Sequence, residues 1–220
     1  GTFNFTVMTR DANNCPGTGS YSLQVVCPVI TVSPANPPFA LAGVAYMQNF
    51  TQANGVGAIS FQATGNIPPG LSLATNGTLA GTPTTAGSYS FTVTATDANN
   101  CTGSQIVTLI VRARPTITAG TPLSRQQGSA GTVSLIATVN DVETPAGNLL
   151  VTPTVVPAGL MVTGIVNSNG SVTATVIAGC AATVGANTVL LTVTDGDGLT
   201  TTANLTVNVT ANSAPQVGGY

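Results

Sequence analysis

The chain has 220 residues and a formal net charge of −2, and only 5% of its residues are charged. Its four basic residues are all arginines, and it has no histidine and no tryptophan. Four scattered arginines cannot follow a phosphate backbone, so we expect no nucleic-acid partner. Without histidine or lysine the usual nucleophile–base pairs cannot form, so we expect a protein that is not an enzyme.

Short stretches of alternating apolar and polar residues fill the chain from its first residues to position 209. This alternation predicts β-strands with one buried face, separated by turns rich in Gly, Pro, Asn and Asp. Many short strands with regular turns predict an all-β chain of antiparallel β-sandwiches. In chain order the alternating sets are Phe3, Phe5, Val7; Ile30, Val32; Tyr89, Phe91, Val93; Leu109, Val111; Val133, Leu135, Ala137, Val139; Leu191, Val193; and Leu205, Val207, Val209.

No apolar run reaches the ~18 residues needed to span a bilayer, so we predict no membrane span in this chain. The low charge has a second consequence, because soluble monomers usually carry mixed charges that oppose contact between like molecules. The composition therefore favours self-association into a filament or surface layer. A secreted β-protein with a polar, uncharged surface remains the alternative.

An internal repeat organises the first half of the chain. The pentapeptide Asp-Ala-Asn-Asn-Cys occupies residues 11–15 and recurs 86 positions later at residues 97–101. The match extends without a gap, because residues 1–7 align with residues 87–93, and Gly17, Leu23 and Val25 align with Gly103, Leu109 and Val111. A fixed period of this length predicts a tandem array. Residues 1–26 then correspond to only the closing part of a repeat.

The middle of the chain resembles a known family through three motifs, at residues 67–73, 76–83 and 87–97. Their order and spacing resemble the bacterial "putative immunoglobulin" repeat, a relative of cadherin-like modules. Residues 113–210 resemble a second type of bacterial surface repeat, through residues 139–146 and 192–198. The resemblance implies tandem immunoglobulin-like sandwiches in an extracellular protein, where such repeats serve as stalks, adhesins or accessory modules.

These observations predict four segments. Residues 1–26 are the C-terminal strands of an incomplete Ig-like repeat, and residues 27–112 are a complete Ig-like repeat. Residues 113–210 are a second-type Ig-like repeat, and residues 211–220 are a linker with the start of a further repeat.

The segment 1–26 is predicted to be an assembly surface. Two strands alone cannot bury a sandwich core, and an uncovered apolar strand pair is an edge that proteins normally cover. The cover would come from a neighbouring copy of the chain or from upstream sequence of the same polypeptide, and a head-to-tail contact between copies would propagate as a filament. The expected assembly residues are Phe3, Phe5, Val7, Leu23 and Val25.

Four acidic residues follow two strands of the last repeat: Asp141, Glu143, Asp195 and Asp197. In an immunoglobulin-type sandwich the two turns lie at the same pole, where hard oxygen ligands would suit Ca²⁺. The alternative, which we favour because no specific calcium motif is present, is that Asp195 and Asp197 close a tight turn by accepting hydrogen bonds from backbone amides. No other cofactor is expected.

Four cysteines in an extracellular-looking β-protein suggest disulfide bonds. In the topology that the resemblance implies, Cys27 at the start of the middle repeat and Cys101 in its last hairpin turn share a pole, so we predict that they pair. Cys15 occupies the turn equivalent to that of Cys101, and its expected partner would lie at the start of the first repeat. Cys180 has no obvious partner nearby.

The sequence therefore predicts a non-catalytic extracellular structural protein, the repeating body of a surface filament or stalk, whose partners are copies of itself. An adhesin or ligand-binding array is the first alternative. The second is a spacer in a secreted enzyme whose catalytic domain lies outside this chain.

Overall fold

The computed structural model describes residues 1–212 and is all-β, with nineteen strands, one short 3-10 turn and no α-helix in that range. The chain forms two compact units. The first comprises Gly1–Phe39, Ala45–Pro83 and Ser88–Ile110, and the second comprises Ala40–Val44, Thr84–Gly87 and the chain from Val111 onward. The further repeat predicted within 211–220 lies, beyond residue 212, outside the described residues. The four-segment division stays a prediction.

Eleven strands lie between residues 1 and 112. Strands β1 to β11 are Thr2–Arg10, Pro16–Gln24, Thr31–Ser33, Ala40–Leu41, Tyr46–Asn49, Thr51–Ala53, Ser60–Gly65, Leu71–Leu73, Thr78–Gly81, Gly87–Thr96 and Thr102–Arg112. Strands β1 and β2 form a two-stranded sheet of their own. The others form a sheet of order β4-β11-β10-β7, a β3-β6 pair and a sheet of order β5-β9-β8.

The core of the first unit follows from the alternation along β10 and β11. Every second residue of β10 from Tyr89 to Ala95 is buried, and so are Val107 and Leu109 of β11. The intervening threonines and serines face outward or are half-buried. Because side chains alternate across a strand, this spacing gives each strand one apolar face, and burial of that face stabilises the sandwich.

Eight further strands lie between residues 116 and 210. Strands β12 to β19 are Thr116–Ala119, Leu123–Gln126, Thr132–Asn140, Leu150–Val155, Leu160–Ser168, Ser171–Ala178, Gly185–Thr194 and Thr200–Thr210, and the 3-10 turn is Ala146–Asn148. They form two four-stranded sheets of order β12-β14-β17-β16 and β13-β19-β18-β15. Alternating residues from both sheets, among them Val172, Val176, Leu191 and Leu205, make one continuous core.

In strand β14 the buried residues differ from those that the sequence pattern predicts. The sequence pattern places Val133, Leu135, Ala137 and Val139 on one buried face, but Val133 and Leu135 are exposed. The pairing of β14 with β17 shifts register between Leu135 and Ala137, where Ile136 is the extra, buried residue. Such a β-bulge reverses which side chains point inward, and the alternation of residue types does not reveal it.

A disulfide bond joins Cys27 to Cys101, the pair proposed from the sequence, with a Cα–Cα distance of 5.5 Å. Cys27 precedes β3, and Cys101 lies immediately before β11. The bond therefore ties the first strand of the middle repeat to its last hairpin across 74 positions of sequence.

The same aspartate-closed turn ends three hairpins: β1–β2, β10–β11 and β18–β19. In each turn, Oδ1 of the first residue accepts hydrogen bonds from the backbone N–H groups two and four positions later, at 2.8 to 2.9 Å. The fourth residue has a positive φ of 64° to 82°, which Asn and Gly tolerate best. The closing aspartates are Asp11, Asp97 and Asp195.

Asp97 differs from the other two because it is buried. Its Oδ2 also accepts a hydrogen bond from the backbone N–H of Val56, at 3.1 Å. Burial by itself would raise the pKa of Asp97, but the N–H groups of Val56, Cys101 and Asn99 together outweigh burial and hold the pKa below its ordinary value.

Removing the disulfide should destabilise the first unit. We expect the double variant Cys27→Ala with Cys101→Ala to lower its free energy of unfolding by about 4 kcal/mol, because the bond closes a long loop and so restricts the unfolded chain. Urea denaturation without reductant measures the change. Cys15→Ala with Cys180→Ala removes two free, exposed cysteines and is the matched control, expected to change stability by less than about 0.5 kcal/mol. Equal losses in both double variants would contradict the prediction.

Asp97 should make the first unit sensitive to acid. Because its pKa is lower in the folded chain than in the unfolded chain, its carboxylate stabilises the fold above the ordinary aspartate pKa of about 3.9. This contribution is lost as pH falls through the lowered folded value. We expect Asp97→Asn to lower Tm at neutral pH and to flatten the decline of Tm in acid, as followed by circular dichroism.

Asp11→Asn is the matched control, since it alters the same turn where the aspartate is exposed and no bond equivalent to that of Val56 is formed. Its effect on Tm should be clearly smaller. The interpretation fails if both variants lower Tm equally, or if Asp97→Asn leaves the acid profile unchanged.

Candidate interaction surface

The β1–β2 hairpin carries an apolar face that nothing in residues 1–212 covers. The five predicted assembly residues, Phe3, Phe5, Val7, Leu23 and Val25, are each between 43% and 60% exposed. The strand register places Phe3 opposite Leu23 and Phe5 opposite Tyr21, so these side chains share one face of the hairpin. We call the six residues Phe3, Phe5, Val7, Tyr21, Leu23 and Val25 the hairpin face.

The equivalent residues 86 positions later are buried core residues. None is more than 8% exposed, and four of the six are fully buried. The same sequence pattern is thus covered at one position in the chain and exposed at the other. The equivalents are Tyr89, Phe91, Val93, Val107, Leu109 and Val111.

Tyr21 is the member of the hairpin face that the sequence interpretation missed. Its ring stacks on Phe5, with centroids 5.7 Å apart and planes inclined by 23°. The signal was present, because the 86-residue offset aligns Tyr21 with the buried Val107. The aromatic pair is a rigid apolar patch at the centre of the face.

The backbone of the hairpin is also open. Strands β1 and β2 pair only with each other within the described residues, so the outer edge of each has no neighbouring strand. Such edges present unpaired N–H and C=O groups and can pair with a strand from another chain segment. An open depression of about 270 Å³ crosses the hairpin and is lined by Val7, Thr9, Gly17, Thr18, Gly19 and Tyr21.

The predicted calcium site stays a prediction. Among residues 1–212, no group of three or more acidic, histidine or cysteine side chains lies close enough to hold a metal ion. Asp141, Glu143, Asp195 and Asp197 are therefore not brought together as a ligand set. Each makes a different contact instead.

These carboxylates accept hydrogen bonds from backbone amides, and one of them forms a salt bridge with an arginine. Oδ2 of Asp141 accepts hydrogen bonds from the N–H groups of Glu143 and Thr144, at 3.3 and 2.7 Å. Oε1 of Glu143 accepts the N–H of Ala113 at 2.8 Å. Asp197 forms a salt bridge with Arg112 at 3.0 Å.

The two acidic turns do share a pole of the second unit. Oγ1 of Thr144 accepts a hydrogen bond from the N–H of Gly196 at 3.1 Å and so links one turn to the other. Asp195 closes its turn through the N–H groups of Asp197 and Leu199, which is the turn-closing role that the sequence offered as the alternative. Only Oδ1 of Asp141 is buried without a hydrogen-bond partner among the described residues.

Cys15 and Cys180 are both free and exposed. Cys15 lies in the turn of the β1–β2 hairpin, where Cys101 lies in the equivalent turn of the β10–β11 hairpin. Cys180 follows β17, and its sulfur lies beside Gly128. The structure therefore gives no partner within the described residues for either thiol.

Calcium removal should not destabilise the protein, because the four carboxylates are bonded to amides and arginine. We expect EDTA to leave Tm unchanged, whereas Asp195→Ala should lower the stability of the second unit by about 1 to 3 kcal/mol through loss of two hydrogen bonds to a charged group. Differential scanning calorimetry measures both. A drop in Tm on adding EDTA, in a sample first shown to contain calcium, would support the predicted calcium site and contradict this expectation.

Comparison with protein-family models finds one match, the family described as "Putative Ig domain", over residues 28–112. None of the curated protein sequences matches the chain. Within residues 1–212 the structure contains no helix with the length and hydropathy needed to cross a bilayer.

Solved structures with a similar fold include the eight N-terminal Ig domains of Down Syndrome Cell Adhesion Molecule, with 14% identity over 94% of this chain and 31% of that chain, at a TM-score of 0.56. An endo-fucoidan hydrolase of glycoside hydrolase family 107 matches with 19% identity, over 97% of this chain and 34% of that chain, at a TM-score of 0.36. Cadherin domains 3–6 of Protocadherin Gamma B2 match with 14% identity, over 82% of this chain and 46% of that chain, at the same TM-score.

The chain therefore spans less than half the length of these solved chains, and at such identities the likeness shows the fold alone. The family match and the fold agree with the motifs at residues 67–97. Residues 28–112 match the "Putative Ig domain" family, within an all-β chain whose fold is similar to that of immunoglobulin domains.

Proposed function

We propose that this chain is a non-catalytic structural protein, the repeating body of an extracellular filament or stalk built from Ig-like domains. The observation that carries the proposal is the recurrence of one aspartate-closed turn in the hairpins β1–β2, β10–β11 and β18–β19, with the same hydrogen bonds each time. Modules repeated with one closing hairpin suit an extended body rather than a single catalytic domain.

The surface chemistry supports self-association. With 5% charged residues and a net charge of −2, two copies meet little electrostatic repulsion. The hairpin face adds an exposed, contiguous apolar patch, and such patches on soluble proteins mark interaction sites. The low charge reduces electrostatic repulsion between copies, and the hairpin face offers an apolar surface through which they could associate.

An extracellular location is supported by the disulfide bond between Cys27 and Cys101, because disulfides form and persist in oxidising compartments. The fold is also consistent with an adhesion or spacer role in a larger surface protein. That role is the alternative to the filament, and the same experiment distinguishes the two.

Electron microscopy of the purified chain tests the proposal. We expect ordered fibres with a regular axial repeat, and we expect them to persist from low to molar salt because charged pairs contribute little to the contact. The variant Phe5→Asp with Leu23→Asp should shorten or abolish the fibres. Met8→Asp, an equally exposed residue of the same strand, is the matched control that should leave them intact. Flexible single strands at every concentration would favour the adhesin or spacer role instead.

A further inference from the structure

We propose that Arg125 sets the register of strand β14. Two registers are open to the strand: the bulged one, in which Ile136 is the extra residue, and a straight one, which restores the alternation that the sequence pattern predicts. Arg125 selects the bulged register and so decides which side chains this sheet displays to solvent. The choice is confined to the second unit and does not depend on the proposed function.

The bulged register is not the one that apolar burial favours. Val133 is 71% exposed and Leu135 is 46% exposed, whereas Ile136 is fully buried. Without the bulge, residues 132–136 would move one position along β17, and each of their side chains would turn to the opposite face. Val133 and Leu135 would then enter the core, and Ile136 would leave it. Because the straight register buries two apolar side chains in exchange for one, another interaction must hold the bulge.

Arg125 supplies an interaction of this kind from the other sheet. It lies on β13, which pairs with β19, but its guanidinium reaches the sheet that contains β14 and β17. Nε donates a hydrogen bond to the carbonyl of Val176 at 2.8 Å. Nη2 donates to Oγ of Ser134 at 2.7 Å and to the carbonyl of Thr132 at 3.3 Å. Hydrogen bonds from a charged donor are stronger than those between neutral groups, so this bridge favours the conformation that allows it.

The bond to Ser134 requires the bulged register. Ser134 stands between the exposed Val133 and Leu135 and therefore points to the opposite, inner face, where its hydroxyl meets Arg125. In the straight register Ser134 would face outward, and Val133 and Leu135 would occupy the inner face instead. The partly buried guanidinium would then lose this acceptor and face apolar side chains, which is unfavourable for a charged group.

A second contact acts on the extra residue itself. The N–H of Gly120, directly after β12, donates a hydrogen bond to the carbonyl of Ile136 at 2.8 Å. A Cβ atom at position 120 would collide with the backbone oxygen of Leu135, so the approach requires glycine. Gly120 and Arg125 therefore hold the bulge and the residues before it from two different strands.

Few other contacts oppose a change of register in the first half of β14. Strand β12 pairs with residues 137–140, so within the described part of the chain residues 132–136 have β17 as their only neighbouring strand. A shift by one residue breaks that ladder and the bond from Gly120. The displaced residue would pass into the loop 127–131, which has glycine at positions 128 and 131.

Nuclear magnetic resonance of the full chain distinguishes the two registers. In the bulged register Leu135 lies opposite Thr173, and in the straight register it would lie opposite Ala174. Cross-strand nuclear Overhauser contacts report this pairing. A soluble gadolinium chelate broadens the signals of exposed methyl groups, so it should broaden Val133 and Leu135 in the unmodified chain and spare Ile136.

The variant Arg125→Leu should adopt the straight register. We expect the contact between Leu135 and Thr173 to be lost and one between Leu135 and Ala174 to appear. Broadening by the chelate should pass from Val133 and Leu135 to Ile136. An arginine that only stabilised the fold would lower Tm when replaced but would leave this pattern unchanged, so the register is the deciding measurement.

Arg114→Leu is the matched control, because it removes an arginine that donates to the carbonyl of Thr200 instead, at 3.1 Å. Its β14 contacts and broadening should be those of the unmodified chain. A folded Arg125→Leu chain with the same unchanged pattern would overturn the inference.

Ser134→Ala decides the question if Arg125→Leu does not fold. This variant keeps the cation and removes only the hydroxyl acceptor, so the bulged register should lose part of its advantage. We expect a second set of β14 signals that includes the contact between Leu135 and Ala174. A single set of signals with the contact between Leu135 and Thr173 would overturn the inference.

Discussion

Burial of one alternating apolar face is the interaction on which both units of this chain depend. Charged residues are too scarce to contribute much, and the salt bridge between Arg112 and Asp197 is partly exposed, so it contributes little to stability. A fully buried Val, Leu or Phe side chain, in contrast, stabilises a fold by about 1.5 to 3 kcal/mol. In both sandwiches, therefore, the apolar faces of the strands pack against one another to form the core.

The aspartate-closed turn supplies what apolar packing cannot, namely a defined end and register for each hairpin. An alternating strand can slip by two residues and still present the same apolar face, but Oδ1 of the closing aspartate bonds two particular amides and fixes the turn. In the middle domain the buried Asp97 adds a bond to Val56 and links the turn to a neighbouring loop. The closing aspartate of the same turn is therefore exposed in the β1–β2 hairpin and buried in the β10–β11 hairpin.

Much of this architecture could be predicted from the sequence, because side-chain alternation and turn residues are local signals. The all-β class, the immunoglobulin-like family of the middle repeat and the shared pole of the two acidic turns are visible in residue order. The bulge at Ile136 is not, since one extra residue in a strand of Val, Leu and Ala leaves no compositional trace. The individual contacts of the acidic residues are not visible either, because residue order places carboxylates near one another but does not show that amides of Thr144 and Leu199 bond to them.

The hairpin β1–β2 has the same local structure as the buried hairpin β10–β11, but its apolar face is exposed within residues 1–212. Its turn is closed by the same bonds as its buried equivalent, and nine residue pairs hold its strands in register, while Phe5 and Tyr21 already stack on each other. These contacts within the hairpin reduce the conformational entropy that would be lost when its apolar face is covered. Isolated two-stranded sheets are marginally stable in water. The hairpin is therefore expected to be more stable when its apolar face is covered than when it is exposed to water.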